Sequence, residues 1–155
     1  MTDFSGQLTA IGRIALVSSQ YHARVTERLL EGAKAACCEA GIASAEMDEL
    51  RVSGAFELGV VVAACCRSGR YAAVVALGVV VRGETPHFDI VAGETAAALS
   101  EAAASSGVPV GLGLLTCDTM AQAVERAGGS AGNKGHEAAE AAIRTADLLR
   151  RADLS

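Results

Sequence analysis

The chain has 155 residues, enough for one domain with a sizeable core and short for two. Its formal net charge is −5 with lysine and arginine scattered along it, which argues against a nucleic-acid surface, since that would need a basic patch. Hydrophobic residues make up 51% of the chain but aromatic residues only 3%, so the core must consist of Ala, Val, Leu and Ile. We expect a single domain over residues 1–155, with residues 1–10 as an N-terminal arm.

The five cysteines predict reduced thiols that act as small core residues. Two adjacent pairs, Cys37-Cys38 and Cys65-Cys66, and the single Cys117 lack the CxxC-like spacing of a metal site. The first residues are neither basic nor followed by an apolar segment, so no signal peptide is expected. No apolar run has the length that a bilayer requires. These features predict a cytoplasmic protein with no membrane partner and no metal.

Strand-like and helix-like patterns alternate along the chain. Strands are expected at 13–18, within 43–52, at 72–80 and at 108–116, and helices at 23–40, 55–67, 88–105, 119–127 and 133–151. Strands separated by helices imply right-handed crossovers and a parallel sheet. The predicted fold class is therefore α/β: a three-layer α/β/α sandwich with a four-stranded parallel sheet in flavodoxin-like order.

Some features predict close contacts of the chain with other molecules. The helix at 55–67 is apolar nearly all round, so we expect it to be buried on several sides, in part by another subunit. The segment before Ile11 is expected to be a free arm or an edge strand given to a neighbour. Gly111 and Gly113 in the fourth strand would allow close approach of another chain or a ligand.

The third strand leads into the polar loop Arg82-Gly83-Glu84-Thr85-Pro86-His87. Ligands of open parallel sheets bind beyond the carboxyl ends of the strands. A glycine lets backbone N–H groups approach an anion, Thr85 adds a hydroxyl, and an imidazole transfers protons near neutral pH. The loop thus predicts a site that holds a phosphorylated small molecule and transfers protons on it. The alternative for His87 is a structural residue that starts a helix.

Other candidates follow the first two strands. Ala55, Phe56 and Glu57 would present free N–H groups at a helix start, although core packing explains Phe56 equally well. The Glu57 carboxylate either favours the helix dipole or pairs with a heterocycle N–H. Tyr21, which His22 follows, can stack on a planar ligand or lie in an exposed loop.

Two cations, Arg126 and Lys134, flank the Gly-rich break at 128–132. A cation beside a flexible backbone suits a phosphate, whereas the alternative is ordinary surface charge. The break lacks the GK[ST] ending of a P-loop, and no GxGxxG follows the first strand, so a nucleotide site of either kind is not predicted.

Taken together, these segments resemble the 6,7-dimethyl-8-ribityllumazine synthases of riboflavin biosynthesis. Each matching segment is weak alone, but the ordered set is highly specific. In family order they are Gly54–Glu57, Leu77–Phe88, Leu115–Thr116, Gln122-Ala123 with Glu125–Gly128, and Gly132–Gly135 with Glu137–Ala139.

The resemblance implies a condensation of 5-amino-6-(D-ribitylamino)uracil with 3,4-dihydroxy-2-butanone 4-phosphate, without cofactor or metal. His87 would be the general acid/base, and Thr85 with the Glu84 backbone would hold the phosphate beside Arg126, with Lys134 nearby. The positions that match the family's binding residues for the pyrimidine and ribityl chain are Ala55, Phe56, Glu57, Val79, Val80 and Val81. Tyr21 matches the aromatic residue that stacks on the pyrimidine. Leu112 stands where many members have a phenylalanine that reaches the site from the neighbouring subunit.

The resemblance also implies a homo-oligomer built on pentamers, with sites between subunits and an association with riboflavin synthase. Two departures from the family pattern leave other functions open. Ser53 stands where many members have proline, and Leu112 removes an aromatic wall. The alternatives are a weakly catalytic or non-catalytic paralogue that binds flavin or lumazine, and a structural shell protein.

Overall fold

Strands and helices alternate along the chain as the hydrophobic pattern predicts. The structure, a computed structural model, describes residues 1–155. Its elements are β1 Ile14–Ser19, α1 Ala23–Glu39, β2 Met47–Val52, α2 Leu58–Arg67, β3 Ala73–Val81, α3 His87–Ser106, β4 Val110–Cys117, α4 Met120–Glu125, β5 Ala127–Gly129, β6 Gly132–Asn133 and α5 Lys134–Arg151, with 3₁₀ turns at Ser44–Glu46 and Ala55–Glu57. The predicted strands and helices are confirmed, and the hairpin of β5 and β6 is the main addition.

The central sheet is parallel and has the strand order β2-β1-β3-β4. Helices α1 and α5 pack on one face, and α2 and α3 pack on the other. The predicted three-layer, flavodoxin-like sandwich is therefore confirmed. The strand order reverses between β1 and β3, so the connections that leave these strands diverge and open a crevice at their carboxyl ends.

Close packing of α5 depends on glycine. A Cβ at Gly111 in β4 would overlap the carbonyl oxygen of Ala138, and one at Gly135 would overlap the carbonyl oxygen of Leu29 in α1. The backbone of helix α5 therefore lies in direct contact with the backbones of β4 and α1. The expectation that Gly111 and Gly113 admit another chain or a ligand is wrong, because α5 of the same chain fills the space at Gly111, and Ala76 and Leu77 of β3 fill the space at Gly113.

Helix α2 is less buried than its apolar sequence predicts. Leu58 and Val62 are completely buried against the sheet and α3, but Val60 is 69% exposed and Ala64 is exposed. Within one chain the sheet and α3 cover only one side of the helix, so its expected burial by another subunit stays a prediction. None of the five helices combines the length and apolarity that a bilayer crossing requires.

The N-terminal segment contacts α5 of its own chain. Residues 1–10 contain no helix or strand. The Gln7 backbone N–H donates to the Asp147 carboxylate at 2.8 Å, and Arg151 donates to the Gln7 side-chain oxygen at 2.9 Å. Residues 1–5 are exposed, so the contact between the N-terminal segment and α5 begins with the residues next to Gln7.

The Asp147 carboxylate is completely buried and is expected to make stability depend on acid pH. The hydrogen bond from Gln7 and then that from Arg151 lower its pKa from 3.8 to about 2. Because the folded-state pKa lies below the unfolded value, the charged carboxylate stabilises the fold above pH 3.8. This stabilisation is lost as the pH falls toward 2 and the carboxylate takes up a proton.

We expect Asp147→Asn to lower the melting temperature by several degrees at neutral pH, since its arginine partners would lose their counter-charge. The variant should also lose less stability than the wild type as the pH falls from about 5 to about 2. Thermal melting across that range checks both effects, with Asp3→Asn in the exposed arm as the control. Equal pH slopes for Asp147→Asn and wild type would contradict the assignment.

Candidate active site

A cavity of about 810 Å³ opens at the carboxyl edge of the sheet, where β1 and β3 diverge. This volume is in the range of sites for small molecules. The lining residues follow three strands: Tyr21 and His22 after β1, Gly54–Glu57 after β2, and Val79–Val81, Gly83, Thr85, His87, Phe88, Ile90 and Val91 in and after β3. Nine of the residues predicted for the site meet here: Tyr21, Ala55, Phe56, Glu57, Val79, Val80, Val81, Thr85 and His87.

The end of β3 forms the floor of the cavity. Its pairing with β1 stops at Leu77, whereas its pairing with β4 continues to Val81. Residues 79–81 therefore have backbone groups on the β1 side that the sheet does not use. The valine side chains are largely buried on the two faces, so these residues offer a ligand their backbone rather than polar side chains.

Arg82 holds the loop that follows β3. Its Nε donates to Asp118 at 2.8 Å and its Nη1 donates to Asp89 at 3.4 Å, while the guanidinium carbon lies 4.3 Å from the centre of the Phe88 ring. The hydrogen bond to Asp118 is the main reason that the pKa of Arg82 is raised. Arg82 thus ties the loop to α3 and to the segment after β4, and its charge is already paired. Because its charge is paired, Arg82 is not a free cation for an anion in this cavity.

His87 is the first residue of α3 and lines the cavity. The N-cap residue of α3 is Pro86, and the His87 side chain makes no capping hydrogen bond, so a capping role for His87 is not supported. The Thr85 hydroxyl accepts a hydrogen bond from the His87 backbone N–H at 3.4 Å. With Gly83, this helix start presents backbone N–H groups, a hydroxyl and an imidazole on one side of the cavity, a combination that suits an anion.

The turn after β2 presents an exposed ring and an oriented carboxylate. Phe56 is 59% exposed, so the core-packing alternative is wrong. Glu57 Oε2 accepts a hydrogen bond from the Gly54 N–H at 3.0 Å, which fixes the carboxylate and leaves Oε1 able to accept another. The turn itself is held by Thr95 of α3, whose hydroxyl donates to the Ala55 carbonyl at 3.4 Å.

Four predicted residues do not line this cavity: Glu84, Leu112, Arg126 and Lys134. Glu84 is exposed in the loop beside the cavity. Leu112 lies in the middle of the edge strand β4 and is 59% exposed. Arg126 and Lys134 are neighbours, since the Lys134 N–H donates to the Arg126 carbonyl at 2.8 Å. Arg126 and Lys134, the candidate cations for binding a phosphate, therefore lie outside the cavity of their own chain.

The hairpin of β5 and β6 explains why Arg126 and Lys134 lie together. Ala127 pairs with Asn133 in an antiparallel register, and Gly128 and Gly132 have φ angles of 96° and 78° that favour glycine. The sequence interpretation treated this stretch as an irregular break. The glycines were visible, but strands of three and two residues are too short for a periodic pattern.

Asn133 is a structural residue that the sequence interpretation missed. Its Oδ1 accepts from the Gly135 and His136 backbone N–H groups at 2.9 and 3.1 Å, which caps α5. Its Nδ2 donates to the Arg28 carbonyl at 3.0 Å, and its amide occupies space that a side chain at Gly32 would fill. Asn133 therefore joins the hairpin and α5 to α1.

We expect Asn133→Ala to destabilise the protein by about 1–2 kcal/mol, because two N-terminal N–H groups of α5 and the Arg28 carbonyl lose their partner. Asn133→Ser keeps an oxygen that can cap the helix but loses the donor, so its loss should be smaller. Thermal melting of both variants at one protein concentration checks this order. A serine variant as unstable as the alanine variant would show that the contact with α1 dominates.

The buried thiols have no feature of a reactive centre. Burial raises the pKa of Cys37 to about 11, and burial is also the main cause of the raised pKa of Cys65, Cys66 and Cys117. The neutral thiol is therefore favoured in each case. The cysteines form no disulfide, and no three His, Cys, Asp or Glu side chains lie close enough together to hold a metal ion.

The fold and cavity define a flavodoxin-like α/β protein with a candidate small-molecule site at the switch point of its sheet. Residues 12–150 match the family model of 6,7-dimethyl-8-ribityllumazine synthase, and the chain belongs to that family. The resemblance seen in the sequence motifs is thus confirmed.

Relatives support the same assignment over nearly the whole chain. The 6,7-dimethyl-8-ribityllumazine synthase of Gemmatimonas aurantiaca is 52% identical over 153 residues, which cover 98% of this chain and 93% of the relative. The protein of the same name from a strain of Anaeromyxobacter is 47% identical over 153 residues, with 98% and 94% coverage. That of Nitratidesulfovibrio vulgaris is 44% identical over 147 residues, or 94% of each chain.

Proposed function

We propose that this chain, a transferase of riboflavin biosynthesis, joins 5-amino-6-(D-ribitylamino)uracil to 3,4-dihydroxy-2-butanone 4-phosphate. The products are 6,7-dimethyl-8-ribityllumazine, inorganic phosphate and two molecules of water. The observation that carries the proposal is the cavity at the switch point, which combines exposed aromatic rings, an oriented carboxylate and an imidazole beside a helix N-terminus. Family membership supplies the identity of the two substrates.

The pyrimidine is proposed to bind between the loops after β1 and β2. The exposed ring of Tyr21 offers a stacking face, and Phe56 and Ala55 line the same region. The free oxygen of Glu57 can accept a heterocycle or ribityl donor. The unpaired backbone of residues 79–81 gives the polar edge of the ring further partners.

The phosphate is proposed to bind at the start of α3. Gly83 permits close approach, the Thr85 hydroxyl donates, and the helix N-terminus favours negative charge. The backbone of Glu84, in the loop beside the cavity, is proposed to donate as well. In this proposed arrangement the phosphate of the second substrate would lie next to His87. The leaving group is thus held beside the group that transfers protons.

His87 is proposed to move the protons of the condensation. The aryl amine attacks the ketone, and loss of water from the adduct forms an imine. Phosphate then leaves, and the second amine closes the ring with loss of another water. Each of these steps adds a proton to an oxygen or removes a proton from nitrogen or carbon. One imidazole can carry out both kinds of transfer by alternating between its protonated and neutral forms. Holding two substrates together provides much of the remaining acceleration.

The missing cation is proposed to come from a neighbouring copy in a homo-oligomer built on pentamers. Leu112, Arg126 and Lys134 lie outside the cavity of their own chain, and strand β4 has an unpaired edge. An apolar groove runs along that edge between α3 and the end of α5, and Ile90 at the cavity rim is 59% exposed. In this arrangement Leu112 and Arg126 of one copy complete the site of the next.

Sedimentation or light scattering tests this arrangement directly. We expect the purified protein to have a mass of five copies or a multiple of five. A stable monomer would contradict the shared site, because its cavity contains no free cation for the phosphate.

We also propose a cytoplasmic location, which the unpaired thiols support. An association with riboflavin synthase is proposed as well, and co-sedimentation would reveal it.

Formation of the lumazine chromophore by the purified protein, measured against an enzyme-free blank, tests the function. A rate well above the blank that depends on both substrates is the expected result. An intact oligomer with no rate above the blank would contradict the proposal and favour a flavin-binding protein, which a riboflavin titration would then identify.

A further inference from the structure

The backbone of His22 adopts a conformation that few residues other than glycine adopt. Its φ and ψ are 60° and 45°, and the only other non-glycine residue with positive φ is Asp153 near the C-terminus. Such a conformation is uncommon outside glycine, although histidine adopts it more readily than most other residues. The His22 carbonyl accepts from Val25 and Thr26 at the start of α1, but its side chain caps nothing. Helix capping therefore does not explain why a histidine stands here.

The left-handed conformation places two consecutive rings on the same side of the chain. In an extended chain, the side chains of residues 21 and 22 would point in opposite directions. Here the Tyr21 and His22 ring centres lie 4.5 Å apart with the planes tilted by 53°, and both rings line the cavity. The Tyr21 backbone N–H donates to the Ser53 carbonyl at 3.0 Å, which anchors the pair to the loop after β2.

We infer that His22 is a positioning residue that orients the Tyr21 ring for stacking on a planar heterocyclic substrate. Tyr21 is 67% exposed, and the contact with the His22 ring restricts the orientations that its ring adopts before the ligand binds. A ring that is already oriented loses less freedom when the ligand stacks on it, and the affinity rises accordingly. The inference rests on the proposed function for the identity of the heterocycle.

Two substitutions at His22 test this role. His22→Gly removes the imidazole but keeps a residue that adopts positive φ freely, and His22→Asn keeps a polar side chain that tolerates it. We expect each to weaken binding of 5-amino-6-(D-ribitylamino)uracil, measured by calorimetry without the second substrate, by about fivefold. The KM for the butanone phosphate and kcat should change by less than about twofold. His136→Asn, on α5 outside the cavity, is the matched control.

A double-mutant cycle separates positioning from a direct contact. If His22 acts through Tyr21, His22→Gly should have no further effect on pyrimidine affinity in a Tyr21→Ala background. Unchanged affinity in both His22 variants, or fully additive losses in the cycle, would overturn the inference. A fall in kcat with an altered pH profile and unchanged affinity would also overturn it and assign the imidazole to proton transfer. Absence of lumazine formation by the wild type would instead count against the proposed function.

Discussion

Replacing His87 by alanine is expected to slow lumazine formation by about a hundredfold or more without unfolding the protein. A positioned acid or base contributes about a hundredfold or more, and the part of the acceleration that comes from holding two substrates together survives the change. The imidazole is exposed and caps no helix, so its loss should leave the melting temperature unchanged. Initial rates with both substrates saturating give kcat directly.

His136→Ala provides a control for loss of a histidine outside the cavity, since its ring pairs with Glu39 and Glu140 on the surface of α1 and α5. That variant should retain the wild-type rate. A His87→Ala protein with unchanged kcat would remove His87 as the proton carrier. A large fall in melting temperature would show that the residue has a structural role.

The Arg126→Ala variant is expected to raise the KM for the butanone phosphate by about tenfold to a hundredfold, with less than a twofold effect on the KM for the pyrimidine. A charge-assisted hydrogen bond to a phosphate has about this effect on affinity. The Arg126 guanidinium donates to the Gln122 carbonyl at 3.1 Å and pairs with no carboxylate, so its charge remains available to a ligand. An equal effect on both substrates would indicate a structural role.

Arg144→Ala is a suitable control, because Arg144 pairs with Glu140 on α5 and contacts the N-terminal segment, away from the cavity. Mixing provides a sharper test of where Arg126 acts. If one copy supplies His87 and the next supplies Arg126, oligomers reassembled from equal amounts of His87→Ala and Arg126→Ala chains regain intact sites in roughly a quarter of positions. No recovery in verified mixed oligomers would place both residues in one subunit's site.

The location of the site could be predicted from the sequence because its elements are local. The β-branched run of β3 and the polar loop after it are adjacent in the chain, and parallel strands bring such loops to one edge of a sheet. The three loops that the sequence singled out, after β1, β2 and β3, do meet in one cavity. Their assignment to particular steps of the reaction remains a prediction.

Exposure could not be predicted in the same way. Phe56 was equally compatible with the core and with a ligand, and only its position outside both hydrophobic clusters decides between them. The apolar sequence of α2 predicted more burial than the sheet and α3 supply. A side chain's surroundings depend on elements far away in the chain, and hydrophobic periodicity carries no information about them.

By itself, the amino-acid sequence determined the order of strands and helices, the parallel sheet and the loops that hold the candidate site, because these depend on local periodicity and on the handedness of crossovers. Tertiary structure alone decided that Arg82 is paired with Asp118, that Asn133 joins α5 to α1, and that His22 turns its ring onto Tyr21. It also decided that Arg126 lies outside its own cavity. The contacts of Arg82 and Asn133 join residues distant in sequence, so they exist only once the layers have packed together.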